Sequence, residues 1–164
     1  MEALEALLGR RSVRAYDTAR PVTRGQIETI VDCGRLAATA RNVQPWEFVV
    51  VTDPSVRARL AALATNGPFI SDAPVCIAVV CEDGPYYLED GCAATQNLLV
   101  AAQALGLASC WVAGDKKPYA GAVTELLGAP RGHRLVSLVA VGYALSVPSP
   151  KKRPLPEVLH WERF

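Results

Sequence analysis

The stretch DGCAATQNLLVAAQALGLASCWVAG, residues Asp90–Gly114, decides the fold class, because it reads as a long helix followed at once by a strand. From Leu88 to Leu105 the apolar residues recur at helical spacing. Within that span Ala93, Ala94, Ala101, Ala102 and Ala104 are small enough to let a second helix approach closely, which suits a central or dimer-forming element. Leu107–Val112 then reads as a strand, and Gly114 follows it either as a simple turn glycine or as a point of close backbone approach.

Working outward, PVCIAVVC at 74–81 is almost continuously apolar, as in a strand covered on both faces. Leu135–Tyr143 reads as a further core strand, and WEFVVVT at 46–52 as a third, opened by Pro45. Asp53 and Pro54 suit the cap and first turn of a helix. Tyr119–Leu127 reads as another, stopped at Gly128. Near the start, Leu4, Leu7 and Leu8 share one face of a short helix that ends at Gly9. Thr23 with Gln26 resembles a capping box for a second helix ending near Ala37. The order of elements is mixed α and β, a sheet covered by helices in one domain over residues 1–164. Residues 146–164 form an extended tail, where four prolines forbid a regular element and several large apolar residues call for a surface to lie on.

Composition narrows the function. Seventeen Lys and Arg against sixteen Asp and Glu leave a net charge of +1, so no bulk attraction to nucleic acid or to an anionic membrane is implied. A charged ligand must be met by a local cluster. Five cysteines, an odd number lying mostly in apolar runs, read as thiols in a reducing cytoplasm. No apolar run approaches the eighteen or so residues of a membrane span, and the acidic start MEALEALLGRR is unlike a secretory signal.

The motifs GxGxxG, GxxxxGK[ST], HExxH and GxSxG are absent, which removes the usual warrants for a Rossmann site, a P-loop, a zinc protease and an α/β-hydrolase. No CxxC pair suggests zinc, and no metal site is expected. His133 and His160 read as surface or packing residues. The acids Glu82, Asp83, Glu89 and Asp90 read as a solvated loop around GPYYL.

Three clusters carry possible chemistry. Arg10, Arg11, Ser12 and Arg14 concentrate three guanidinium groups and a hydroxyl within five residues, a natural phosphate site; a basic turn paired to surface acids is the competing reading. Lys151, Lys152 and Arg153 stand between Pro150 and Pro154, either restrained for binding or simply a charged tail. Asn42, Val43, Gln44, Pro45 and Trp46 place two amides before a rigid proline, able to read the polar edge of a flat heteroaromatic ring, although Trp46 itself reads better as a core anchor.

In this order RRSVRAY (10–16), AATARNVQPWEFVVV (37–51), the 90–114 stretch and PKKRPLPEVLHWERF (150–164) resemble the nitroreductase family of flavoproteins. The resemblance implies an α+β sandwich, a mixed central sheet flanked by helices, acting as a homodimer, with one FMN at each of two sites built from both chains and the tail wrapped on the partner. It further implies that Arg10, Ser12, Lys151 and Arg153 hold the FMN phosphate and ribityl region with Arg11 nearby, and that Arg14 reaches the pyrimidine edge. Thr39, Asn42, Gln44 and Pro45 line the ring, and the backbone at Ala113 and Gly114 approaches flavin N5. A cation near N1 and a donor at N5 suit a flavin that accepts hydride.

On that reading NADH or NADPH reduces the flavin, which then reduces a small oxidised organic acceptor, a nitro compound or quinone, in the same space. The brief Thr65–Pro74 loop implies an open pocket, and Arg41 stands beside the ring-contact loop, where it meets solvent, an anionic substrate or the nicotinamide phosphate. The alternatives are a specialised enzyme of the same fold (a dehalogenase, a heterocycle dehydrogenase or an FMN-fragmenting enzyme), a non-catalytic flavin or anion binder, and a small nucleic-acid binder. Neutral charge and few stacking aromatics weigh against the last.

Overall fold

A computed structural model describes residues 1–164. Its elements are helix α1 (Ala3–Gly9), α2 (Arg24–Arg35), strand β1 (Trp46–Val51), α3 (Pro54–Leu63), β2 (Val75–Glu82), α4 (Tyr87–Ala104), β3 (Ala108–Ala113), α5 (Ala120–Leu126) and β4 (His133–Gly142). Each strand and helix expected from the sequence is present. The local signals act as read: Thr23 and Gln26 bond reciprocally at the start of α2, and the Asp53 carboxylate accepts from the amides of Ser55 at 2.7 Å and Val56 at 3.2 Å at the start of α3.

The strands form one sheet in the order β1-β2-β4-β3. All four pair antiparallel, so the mixed character expected of the sheet reduces to a single parallel bridge between Ser12 and Ser109 on the outer side of β3. β2 is buried from Val75 to Cys81 because its two side-chain rows meet separate cores. Cys76 and Ala78 face α3 and α5, with Leu60, Ile70, Val112 and Leu138. Val75, Ile77 and Val79 face α2 and α4, with Ile30, Leu98, Val139 and Val141.

Helix α4 is the spine of the second layer. Two glycines mark its closest approaches: a Cβ on Gly34 of α2 would stand 2.6 Å from Leu98, and one on Gly91 would stand 2.6 Å from Val136 of β4. Those two glycines set how near α4 lies to α2 and to the sheet. No helix is long and apolar enough to cross a membrane.

Two apolar surfaces have no cover within the chain. Leu4 and Leu8 of α1 are 72% and 76% exposed, and Ala6 is the one residue of the helix that is buried. In the tail, Leu155, Trp161 and Phe164 are likewise exposed.

Candidate functional site

The Arg10–Arg14 segment is fixed from beneath. Tyr16, buried, donates its hydroxyl to the Val13 carbonyl at 2.7 Å, and burial pushes its phenol well above the ordinary range. The Val13 amide donates to the Ser109 carbonyl at 3.0 Å, tying the segment to the edge of β3. In an extended segment side chains alternate, so with Val13 sunk in the core, Arg10, Ser12 and Arg14 turn the other way.

That outward row meets the tail. Arg10, Arg11, Ser12 and Arg14 line one recess with Pro148, Pro150 and Lys152. Neither Arg10, Arg14 nor Lys152 has a carboxylate within 4 Å, since the ion pairs of the chain lie elsewhere. The surface-paired basic turn is therefore not what forms. Arg14 also lies 5.8 Å from the centre of the Phe69 ring. Arg11 differs from its neighbours: it donates to the carbonyls of Leu8 and Arg10, both at 2.8 Å, and so closes the end of α1. In the tail, Lys152 takes the recess position. Lys151 and Arg153 fall outside it, and Arg153 donates to the Glu157 carbonyl at 2.6 Å.

From Ser109 the edge of β3 runs free. Gly114 donates its amide to the Val136 carbonyl at 3.0 Å. The alternation of an antiparallel ladder then turns the backbone of Ser109, Trp111 and Ala113 to the open side. Ala113 and Gly114 thus part company: the Ala113 amide faces outward, while Gly114 serves packing, because a Cβ there would lie 2.5 Å from Leu135. Tyr119 donates its hydroxyl to the Ala113 carbonyl, and Tyr87 donates to Asp115 Oδ1 at 2.5 Å. Two phenols brace this segment from either side.

The Thr39–Pro45 loop is held by a buried acid. Asp90 accepts from Thr39 Oγ1 at 2.8 Å and from the Ala40 amide at 3.1 Å, and Thr39 Oγ1 in turn accepts from the Gln44 amide at 3.1 Å. Asp90, read from sequence as solvated, is only 6% exposed. Arg41, Asn42 and Gln44 all adopt left-handed backbone, with φ of 55°, 57° and 54°. Such strain in non-glycine residues gathers at functional loops. Gln44 turns its side-chain amide back to the Asn42 carbonyl at 3.3 Å. Pro45 and Arg41 line a small cavity of about 130 Å³ with Tyr86, Tyr87 and Asp90, and Trp46 is buried as the anchor it was expected to be.

The loop and the cationic recess lie at opposite ends of α4. Thr39 is tied to Asp90 in its first turn, whereas Gly9, next to Arg10, sits against Gln103 in its last. Thirteen residues of helix separate those points by roughly 20 Å along the axis.

The profile of the nitroreductase family matches residues 7–83 and 64–143, a span that holds the arginine segment, the strained loop and the β3 edge. The chain belongs to the nitroreductase family. Among its relatives, a protein of Archaeoglobus fulgidus named "Putative NADH dehydrogenase/NAD(P)H nitroreductase" is 36% identical over 150 residues, covering 87% of this chain and 85% of that one. The FMN reductase (NADPH) of Bacillus subtilis is 28% identical over 178 residues, covering 94% of this chain and 70% of that one. A crystal structure of a Bacteroides thetaiotaomicron protein, named as the Archaeoglobus one is, superposes with a TM-score of 0.93 at 27% identity, covering 99% of this chain and 98% of that one.

Within this nitroreductase-family chain, sequence reasoning found the arginine segment and the loop but missed their supports. Tyr87, Tyr119 and Asp115 carry no motif, and Asp90 was hidden in an acidic run. Only the small residue Gly91 beside Asp90, which lets the helix end approach the sheet, signalled that this turn is buried. No group of His, Cys, Asp or Glu is placed to hold a metal ion.

Proposed function

We propose that the protein is an FMN-dependent oxidoreductase that takes hydride from NADH or NADPH and reduces a small oxidised organic acceptor such as a nitro compound or a quinone. The observation that carries this reading is the convergence of Arg10, Ser12, Arg14 and Lys152 on one recess without a counter-charge, beside an open strand edge. A cluster of unanswered cations in a chain of net charge +1 is a site for an anion, and a phosphomonoester fits its donors.

In this reading the recess holds the FMN phosphate. Arg10 and Ser12 donate to it from the β3 side and Lys152 from the tail, with Lys151 and Arg153 close by and Arg11 fixing the turn. The guanidinium of Arg14 stabilises negative charge on the pyrimidine edge. The outward amide of Ala113 serves as the donor opposite N5, and Gly114 lets that edge lie flat against Leu135. Bound FMN supplies the two-electron chemistry, so the chain needs only to bind, orient and stabilise charge, consistent with the lack of any catalytic dyad.

Thr39, Asn42, Gln44 and Pro45 wall the ring, but from a second copy of the chain. The distance along α4 between the loop and the recess supports a site completed by the partner of a homodimer, and the uncovered leucines of α1 with the apolar tail supply surface for that contact. The 164 residues act as one FMN-binding domain. Five free cysteines with no disulfide suit a cytoplasmic setting.

The test is the visible spectrum of the purified protein, with heat-released cofactor identified by chromatography and anaerobic titration with NADH and NADPH. Stoichiometric FMN that bleaches on adding either nucleotide supports the reading. Retained FMN that neither nucleotide reduces moves the protein to the specialised or non-catalytic alternatives, and failure to bind FMN removes the assignment.

A further inference from the structure

Immediately beyond Ala113 and Gly114 the chain makes a second basic recess that the cofactor reading does not use. It has a volume of about 310 Å³, and its wall carries Lys116, Lys117, His133 and Arg134. Asp115 is the acid on that wall, and it is committed elsewhere: one oxygen accepts from Tyr87 at 2.5 Å, its side chain is 11% exposed, and Lys116 approaches the other oxygen only to 4.0 Å. Arg134 is paired with Asp83 at 3.3 Å and lies 4.8 Å from the Tyr87 ring centre. Lys117 has no acid within 4 Å. The recess is thus positive after its internal pairs are counted.

Two further features mark it as built to meet something. The Nδ1 atom of His133 is buried without a hydrogen-bond partner, and a buried polar atom left unpaired costs about 1–3 kcal/mol unless a ligand or water answers it. Lys116 adopts left-handed backbone at φ 57°, a conformation that lysine occupies at a cost and that turns this corner of the loop.

We propose that this recess binds a phosphate group of the electron donor, with Lys116 and Lys117 as its cations. The inference rests on the proposed function, because it makes the donor a pyridine dinucleotide whose nicotinamide lies by the Ala113 edge. Lys117 follows Ala113 by four residues, at most about 14 Å of chain. One dinucleotide can therefore place its nicotinamide at the edge and a phosphate in the recess. A phosphate there accepts from both ammonium groups.

The experiment uses the FMN-loaded, isotope-labelled full-length protein, titrated separately with inorganic phosphate, 5′-AMP and 2′,5′-ADP while the Lys116, Lys117 and His133 resonances are followed. The double variant Lys116→Gln/Lys117→Gln is titrated beside it, and KM is measured for donor and acceptor. Saturable shifts with a nucleotide, weakened about tenfold or more in the variant, with a matching rise in donor KM and no rise in acceptor KM, are the expected result. Unchanged shifts and donor KM in the variant overturn the proposal. Inorganic phosphate binding as tightly as either nucleotide overturns the donor assignment in favour of a free-phosphate site. If the protein fails to bind FMN, the proposed function falls separately, while the same titrations on the unloaded chain still decide whether the recess takes phosphate.

Discussion

Asp90 and Thr39, 51 residues apart, share a hydrogen bond of 2.8 Å that fastens the strained Thr39–Pro45 loop to the first turn of α4. Removing the acid leaves the Thr39 hydroxyl and the Ala40 amide unpaired in a half-buried site. Asp90→Ala should cost about 2–3 kcal/mol of stability, and Thr39→Val about 1 kcal/mol, read from urea unfolding midpoints. A smaller effect of the Asp90 change than of the Thr39 change would show that the carboxylate is not the anchor.

Arg10→Ala, Arg14→Ala and Lys152→Ala should each weaken FMN binding about tenfold, in line with the loss of one charge-assisted contact near solvent. Riboflavin separates the roles. Arg10 and Lys152 changes should leave its affinity nearly intact, whereas the Arg14 change should weaken both ligands, measured by quenching of flavin fluorescence.

The glycines offer a paired test of packing. Gly114→Ala drives a methyl to 2.5 Å from Leu135, and should cost about 1–3 kcal/mol. Gly121, within α5, has nothing within 4 Å of a Cβ, so Gly121→Ala should stabilise by roughly 0.5–1 kcal/mol through helix propensity. Thermal melting of the two variants should shift in opposite directions.

Tyr87 should titrate late. Burial first, then the hydrogen bond to Asp115, pushes its phenol up to about 12 from an ordinary value near 10. Because the folded value is the higher one, the stability linked to the protonated phenol is complete below pH 10 and is lost as pH climbs through 12. The difference between the 295 nm titrations of the chain and of Tyr87→Phe should rise near pH 12. The variant should also lose less stability than the parent across that window.

If donor and acceptor use the same space beside the Ala113 edge in turn, double-reciprocal plots at several fixed acceptor concentrations should be parallel. Intersecting lines would require both to be bound at once, and would separate the donor site from the acceptor site.

How much of this was legible beforehand depends on the range of the interaction. Helices and strands announced themselves through local period and caps: Asp53 with Pro54, Thr23 with Gln26, and the unbroken apolar run of β2. The arginine segment was visible because charge so concentrated in a neutral chain asks for a partner. What sequence could not place were contacts between remote positions. The resemblance pointed to Lys151 and Arg153 in the tail, whereas the tail laid against Ser12 brings Lys152 to the recess instead. Asp90 looked like one acid among four until Gly91 brought its turn onto β4. The mixed sheet was expected from the family resemblance, whereas pairing depends on which edges meet. Here four antiparallel partners leave the parallel contact to one residue of the arginine segment.

The left-handed run at Arg41, Asn42 and Gln44 sets two pressures against each other. Glycine at any of the three would relieve backbone strain, so a screen for heat tolerance alone would drift toward glycine there. Each such replacement would also discard a side chain and free a rigid loop. Variants enriched for thermal survival and variants enriched for turnover should therefore diverge first at these positions, making the loop a place where durability and activity are traded.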